Sequence, residues 1–164
     1  MYQRSHPPGF RCFHESFGTN WRMIEMQAAI GRIQLKRMAD WHTQRTNNAV
    51  AINAAARECP ALRVPQVPPD CKHAWYRCYV FVRPELLKRD WSRDRIVEAL
   101  NAAGVPCFPG SCSEMYLEKA FQEADLQPAQ RLPVAFELGE TSLCFLVHHT
   151  LTRPEIAKTC DVPV

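Results

Sequence analysis

Residues 23–58 read MIEMQAAIGRIQLKRMADWHTQRTNNAVAINAAARE. The stretch contains no proline and one glycine, Gly31. A run of this kind predicts one long helix, with a candidate break at Thr46-Asn47-Asn48. Its faces are unequal. Ile24, Ala28, Gly31, Leu35 and Met38 follow the 4-3-4-3 spacing of a single stripe. Met23, Gln27, Ile30, Gln34 and Trp41 lie beside it, and Met26 and Ile33 lie farther round. Glu25, Arg32, Lys36, Asp40 and Thr43 occupy the opposite face. At about 100° per residue the apolar arc is roughly 200° wide, about twice what one core-facing stripe needs. A small domain rarely covers a helix on two sides, so a second domain or subunit is expected against it. Gly31 costs about 1 kcal/mol relative to alanine. Either another backbone approaches closely there, or the glycine is simply tolerated.

The rest of the 164 residues supports a packed core. Hydrophobic residues make up 46% and charged residues 23%, which excludes a disordered chain. The formal net charge of +3 gives no pull toward nucleic acid. Arg32, Lys36 and Arg37 form the nearest approach to a basic patch, and they read as a solvated helix face. No stretch approaches the roughly 20 apolar residues that cross a bilayer. The start, MYQRSHPPGF, has no apolar secretory core. The expectation is therefore a cytoplasmic protein bound to neither membrane nor nucleic acid. Eight cysteines, at positions 12, 59, 71, 78, 107, 112, 144 and 160, form no CxxC pair. They read as reduced, buried thiols and not as metal ligands or disulfides.

Residues 1–22 carry Pro7, Pro8 and Gly9 and read as an extended lead-in. After the long helix, prolines at 60, 65, 68 and 69 mark a break, and a small domain over 59–164 follows. Leu62–Val64 reads as a short strand. HAWYRCYVFV, 73–82, reads as a longer one, with Trp75 and Tyr76 in the core. A helix follows, capped by Ser92, burying Ile96, Val97 and Leu100 and stopped by Gly104. VPCF at 105–108 is a short strand. Residues 109–128 are loop-like with a helical turn near 115–121, and 129–138 are helical. TSLCFLV at 141–147 is a strand, and Thr152 opens a last, short helix from Arg153. The class is α+β, with a small sheet covered on one side by helices.

The entrance to the long helix carries more than a cap requires. Gly18-Thr19-Asn20-Trp21-Arg22-Met23, then Glu25, Gln27-Ala28-Ala29-Ile30-Gly31 and Gln34-Leu35, resembles the signature of the DegT/DnrJ/EryC1/StrS aminotransferases. His73-Ala74-Trp75-Tyr76 is similar to that family's histidine-and-aromatic strand entry. Phe145-Leu146-Val147-His148 with Thr150-Leu151-Thr152 resembles its "LPLHPTLT" segment, where His149 replaces the usual proline. Ser111, Ser113, Glu114 and Tyr116 stand where many relatives carry a histidine-tyrosine segment beside the sugar.

The resemblance implies pyridoxal 5'-phosphate (PLP) enzymes that pass an amino group, usually from glutamate, to a nucleotide-linked keto sugar. It implies the fold of the aspartate-aminotransferase type (fold type I), a homodimer, and a match to the C-terminal small domain. The N-terminal PLP-binding domain, with the lysine that binds the cofactor, would lie outside this chain. Lys36, Lys72, Lys88, Lys119 and Lys158 do not stand in the family's lysine context. The resemblance gives Asn20 a hydrogen bond to the cofactor phosphate held by the partner subunit. Read from residues alone, Asn20 is a plain helix cap. Arg22 is a second candidate for phosphate or carboxylate, with a structural ion pair as the alternative. His148 is a candidate near the substrate, or a hydrogen-bonded histidine at a strand end. No catalytic residue and no metal ligand is assigned. The chain reads as a C-terminal fragment, with a truncated last helix, inactive by itself. The competing reading is a non-catalytic dimerisation or binding module on the same fold.

Overall fold

A computed structural model of the chain describes residues 21–161. Asn20, most of the 1–22 lead-in and the last three residues lie outside the described residues. The contacts divide the chain into two units, Met1–Lys36 and Arg37–Val164.

Helix α1, Glu25–Arg57, runs without a break. The polar triplet does not interrupt it because the Thr46 and Asn48 side chains find partners without unwinding the backbone. Thr46 donates its hydroxyl to the His42 carbonyl at 2.8 Å, and Asn48 donates its amide to the His148 carbonyl at 3.2 Å. The buried residues of α1 are Ala49, Ile52, Asn53 and Ala56, all toward its C-terminal end. The stripe read farther upstream is exposed: Ile24 is 58% exposed, Leu35 73% and Met38 49%. A Cβ placed on Gly31 would meet nothing within 4 Å. Among the described residues no close backbone approach explains that glycine.

Four strands follow in antiparallel order β1-β2-β4-β3: β1 Leu62–Arg63, β2 Cys78–Val82, β3 Cys107–Phe108 and β4 Ser142–Phe145. Registers are fixed by the pairs Leu62–Val82, Val80–Leu143 and Cys107–Phe145. Because side chains alternate across a strand, Cys78, Val80 and Val82 share one face with Leu143, Phe145 and Cys107. These six form the core with Ala49 and Ile52 of α1, Ile96 and Leu100 of α2 (Arg93–Ala102), and Ile156 of α5 (Arg153–Asp161). Asn53 is the polar member of this core. Its carbonyl oxygen accepts from the Cys78 thiol at 3.3 Å, which ties α1 to β2.

Helix α2 forms where its capping residues say it should. The Ser92 hydroxyl accepts from the Arg95 amide at 3.2 Å. Gly104, at φ +75°, turns the chain out while its amide donates to the Asn101 carbonyl. The last helix is closed by Glu155, whose carboxylate accepts from both the amide and the hydroxyl of Thr152 at 2.7 Å.

The second sheet face carries Arg77, Tyr79, Phe81, Phe108, Ser142 and Cys144. It is bordered by α4, Pro133–Thr141. A cavity of about 580 Å³ lies between Tyr79 and Phe81 on the sheet and Leu132, Val134 and Leu138 beside or on α4. Helices therefore flank both faces, not one. Arg93 links these parts: one guanidinium nitrogen lies within 3.2 Å of the carbonyls of Pro109, Gly139 and Ser142. The helix read at 129–138 begins later, at Pro133. The segment 109–128 holds a short 3-10 turn, Met115–Leu117, and helix α3, Lys119–Glu123.

Three expectations fail. The strand read over 73–82 begins only at Cys78, because Trp75 sits at φ +48°, outside the strand region. Tyr76 is 75% exposed and is no core residue. The cysteines are also divided: Cys78, Cys107 and Cys144 are buried, whereas Cys71 and Cys112 are exposed.

Candidate functional site

The middle of α1 organises the segment ahead of β2. His42 Nε2 lies 2.9 Å from the His73 carbonyl. Arg45 donates to the carbonyls of Trp75 and Tyr76 at 3.3 and 3.4 Å. His73 Nδ1 accepts from the Trp75 amide at 2.9 Å, and its ring packs on the Trp75 ring. These bonds hold the left-handed Trp75 in a conformation that costs a non-glycine residue about 1–2 kcal/mol. The result is a kink that breaks the strand early and leaves Tyr76 outside the core.

The loop after β4 meets the same part of α1. His149 stacks on Trp41, with ring centroids 4.3 Å apart and planes 17° apart, and it touches the His148 ring. His148 is exposed, and its Nδ1 is 2.8 Å from the Thr150 hydroxyl. His149 Nδ1 is buried with no hydrogen-bond partner. Burial holds this imidazole below its ordinary value of 6.5, and the charges of His148 and Arg45 act in the same direction. Protonation would put an N–H on the buried Nδ1, where no described group accepts it, and a charge near Arg45.

That arrangement has a pH consequence. The folded ring gives up its proton more readily than the unfolded one, so its stability contribution is complete above about pH 6.5. It is lost as pH falls through that value, because the unfolded chain then binds the extra proton. Thermal melts between pH 8 and pH 5 are expected to show a steeper fall for the natural chain than for His149→Phe, which keeps the stack without a titrating ring. Parallel curves would contradict this.

In the segment after β3, Glu114 is committed to a clasp. Arg131 donates to both its carboxylate oxygens, at 2.7 and 2.6 Å, and the Tyr116 hydroxyl donates at 2.6 Å. Arg131 first, and Tyr116 next, bring the carboxyl down to about 2. Glu114 is thus a fixed anion holding Arg131, not an available base. Burial pushes the Cys78 thiol up to about 12 and Cys107 up to about 11, so neither serves as a thiolate nucleophile. Among the described residues, no group of three or more histidine, cysteine or acidic side chains is placed to hold a metal ion. No described helix is long and apolar enough to cross a membrane.

Of the residues singled out from the sequence, Arg22 is exposed just ahead of α1, in the first unit. His148 stands in the second unit beside His149, and Asn20 lies outside the described residues. The stack of His149 on Trp41 was not foreseen. It joins residues far apart in the chain, and only the substitution of His149 for proline hinted at a local role.

The small antiparallel sheet and its helices belong to the architecture of fold-type I aminotransferases. An aminotransferase from Psychrobacter cryohalolentis superposes with a TM-score of 0.82 at 55% identity, covering 96% of this chain and 42% of that one. The chain belongs to the DegT/DnrJ/EryC1/StrS aminotransferase family, whose pattern it matches over residues 4–162. It is 30% identical over 140 residues to the erythromycin biosynthesis sensory transduction protein EryC1 of Saccharopolyspora erythraea, covering 85% of this chain and 36% of that protein. It is 27% identical over 148 residues to the dTDP-3-amino-3,4,6-trideoxy-alpha-D-glucose transaminase of Streptomyces venezuelae, covering 90% and 37%. The chain thus spans about two fifths of the length of the relatives it matches.

The enzymes of this family depend on pyridoxal phosphate. The described residues do not by themselves fit that cofactor. Lys36, Lys72, Lys88, Lys119 and Lys158 are all exposed. None lines the cavities beside the sheet or α1. Lys158 Nζ is engaged with the Gly104 carbonyl at 3.3 Å, and Lys119 pairs with Glu123 at 3.4 Å. A lysine that binds an aldehyde as the free amine needs its charge suppressed by burial or by a nearby cation. These side chains are exposed, and Lys119 sits beside a carboxylate.

Proposed function

We propose that this chain is the C-terminal, small-domain portion of a PLP-dependent aminotransferase. Its reaction moves an amino group, typically from glutamate, to a nucleotide-linked keto sugar that enters a surface polysaccharide or a natural product. The observation that carries the reading is the family match, which runs over nearly the whole chain. The names of the Streptomyces transaminase and of the Bacillus subtilis spore coat polysaccharide biosynthesis protein SpsC support the substrate class and the pathway. Residues 1–22 form the lead-in with the cofactor motif, 23–58 the interface helix and 59–164 the small domain.

In this reading the large domain is a separate part of the enzyme, and the enzyme is a homodimer. Bound pyridoxal phosphate supplies the electron sink, and the protein supplies binding and orientation. Asn20 donates its side-chain amide to the phosphate held by the partner subunit, a role suited to an NH2 group that meets phosphate oxygens. Arg22 adds a charge-assisted bond to a phosphate or carboxylate nearby. His148 faces the substrate, oriented by Thr150. The exposed apolar residues from Met23 to Met38, just before and along the first part of α1, support a face made for another protein surface.

The chain alone is then inactive, since none of its lysines is set to bind the cofactor covalently. Incubating the purified chain with pyridoxal phosphate, reducing with borohydride and mapping peptides by mass is expected to give no stoichiometric modification of any lysine. One lysine carrying a full equivalent of pyridoxyl group would overturn the reading of an incomplete site.

A further inference from the structure

Asn53 is the buried polar residue of α1. It is 6% exposed, and its carbonyl oxygen accepts from the Cys78 thiol at 3.3 Å. A thiol is a weak donor, so little of the cost of burying an amide is recovered there. Its Nδ2 donates to no described group. The nitrogen is not sealed into the packing, a state that among the described residues belongs to His149 Nδ1. It opens instead on a cavity of about 240 Å³ that Asn53 lines, bounded by α1, the loop 65–71 and the start of β2. The left-handed Trp75, gripped from α1 by Arg45, forms another wall.

The walls around that amide are Pro65, Val67, Pro68 and the rings of Trp75 and Tyr79. The polar residues at its edge are committed or lie in water: His73 Nδ1 accepts from the Trp75 amide, Arg77 reaches the Cys144 sulfur, and Gln66 and Cys71 are exposed. Size and polarity decide what fits. Liquid water takes about 30 Å³ per molecule, so roughly eight would fill the space, and each needs about two to four polar partners. The walls do not offer that many. An apolar cavity of about 150 Å³ takes up benzene, so this volume admits a ring with one small substituent. A largely apolar pocket with a few placed polar groups is the ordinary form of a small-molecule site.

We infer that this cavity binds a small uncharged aromatic compound bearing a carbonyl group. The ring lies against the proline, Trp75 and Tyr79 walls, and the carbonyl oxygen accepts from Asn53 Nδ2. The site stands apart from the aminotransferase reading, because it uses neither cofactor nor sugar, and its occupancy is measured as binding alone.

NMR titrations of the nitrogen-labelled chain with benzamide, benzene and uridine test it. Benzamide is expected to shift the side-chain NH2 pair of Asn53 and the indole N–H of Trp75 saturably. Asn53→Leu keeps the volume of the side chain and removes the donor. It is expected to weaken benzamide about tenfold, the ratio for one lost hydrogen bond, and to leave benzene as tightly bound as before. Val67→Phe, at a half-buried wall position, fills the cavity without touching Asn53 and is expected to abolish binding of both. Should Asn53→Leu fail to fold, Val67→Phe and the Asn53 shifts decide the matter.

Four results would each overturn the inference. They are no saturable shift with benzamide up to its solubility limit, shifts that miss Asn53 and Trp75, unchanged benzamide affinity in a folded Asn53→Leu, and unchanged affinity in Val67→Phe. Magnetisation transfer from water to the Asn53 NH2 pair, with no benzamide shift, would make the cavity a hydrated void and nothing more. Uridine giving the same shifts would assign the cavity to the sugar-nucleotide site and end its standing as a separate one. A chain that binds pyridoxal phosphate covalently would defeat the proposed function and leave this result standing.

Discussion

Ile96→Ala is expected to lower the unfolding free energy of the chain by about 3 kcal/mol, and Leu143→Ala by a similar amount. Ile96 is 1% exposed and Leu143 is fully buried, and both pack into the cluster formed by α1, α2, α5 and the inner sheet face. Truncating either removes several methyl or methylene groups and leaves a cavity that close-packed neighbours cannot fill. A domain of this size has about 5–15 kcal/mol of stability in all, so the loss moves the urea midpoint a long way at an unchanged slope. Ile30→Ala and Leu35→Ala provide the contrast. Both are large apolar residues of α1, but they are 53% and 73% exposed. They are expected to stay within about 0.5 kcal/mol of the natural chain. Equal losses at Ile30 and Ile96 would mean that the core extends along the whole helix.

The same contrast shows where the sequence could be read directly. Helix α2 was legible to within a residue or two because its signals are local: the hydroxyl of Ser92, the spacing of Ile96 and Leu100, and Gly104 beyond its end. Strand β4 was equally plain as an apolar run. The long helix was legible in extent, but its burial was not. Its N-terminal half is the more strongly patterned, and its C-terminal half, with Ala49, Ile52 and Ala56, carries the core. Periodicity marks faces that bury themselves somewhere; it does not say against which chain. The Thr46-Asn47-Asn48 triplet suggested a break because such residues compete for backbone bonds. Asn48 instead reaches carbonyls after β4, a contact that only the fold creates.

The site was less readable for the same reason. Tyr76 and Trp75 look like strand residues, and aromatic composition favours that reading. What overrides it is Arg45 and His42, about 30 residues earlier in the chain, which hold the left-handed turn at Trp75 through the carbonyls of His73, Trp75 and Tyr76. Once the strand starts late, Arg77 and Tyr76 become rim residues of a cavity. His149 was unreadable because its partner, Trp41, is remote in sequence. Asn20, Arg22 and His148 were found through resemblance to the family motif, not through spacing or charge. Spacing alone gives Asn20 only the role of a helix cap.

The exposed half of α1 leads to the other large effect. Met26, Ile30 and Ile33 are 69%, 53% and 52% exposed and follow one another at intervals of four and three residues, so they share a helix face. Scattered single hydrophobes on a surface need no partner, but neighbouring large side chains in a row do. In the proposed enzyme this face meets the large domain or the partner subunit. In the isolated chain the available surface of matching chemistry is the same face of a second copy, so self-association is expected in sedimentation velocity. Burying each of the three side chains contributes about 1.5 kcal/mol at the low end of its range. A pair of copies carries six of them, each already about half covered, so replacing all three by glutamine in both copies removes roughly 4 to 5 kcal/mol from the association, a weakening of about a thousandfold. Because none of the three belongs to the buried cluster, the melting temperature of the monomer is expected to hold. If the natural chain sediments as a monomer at every concentration reached, or the triple variant associates as strongly, the face is not an interface and the case for a second surface against α1 falls with it.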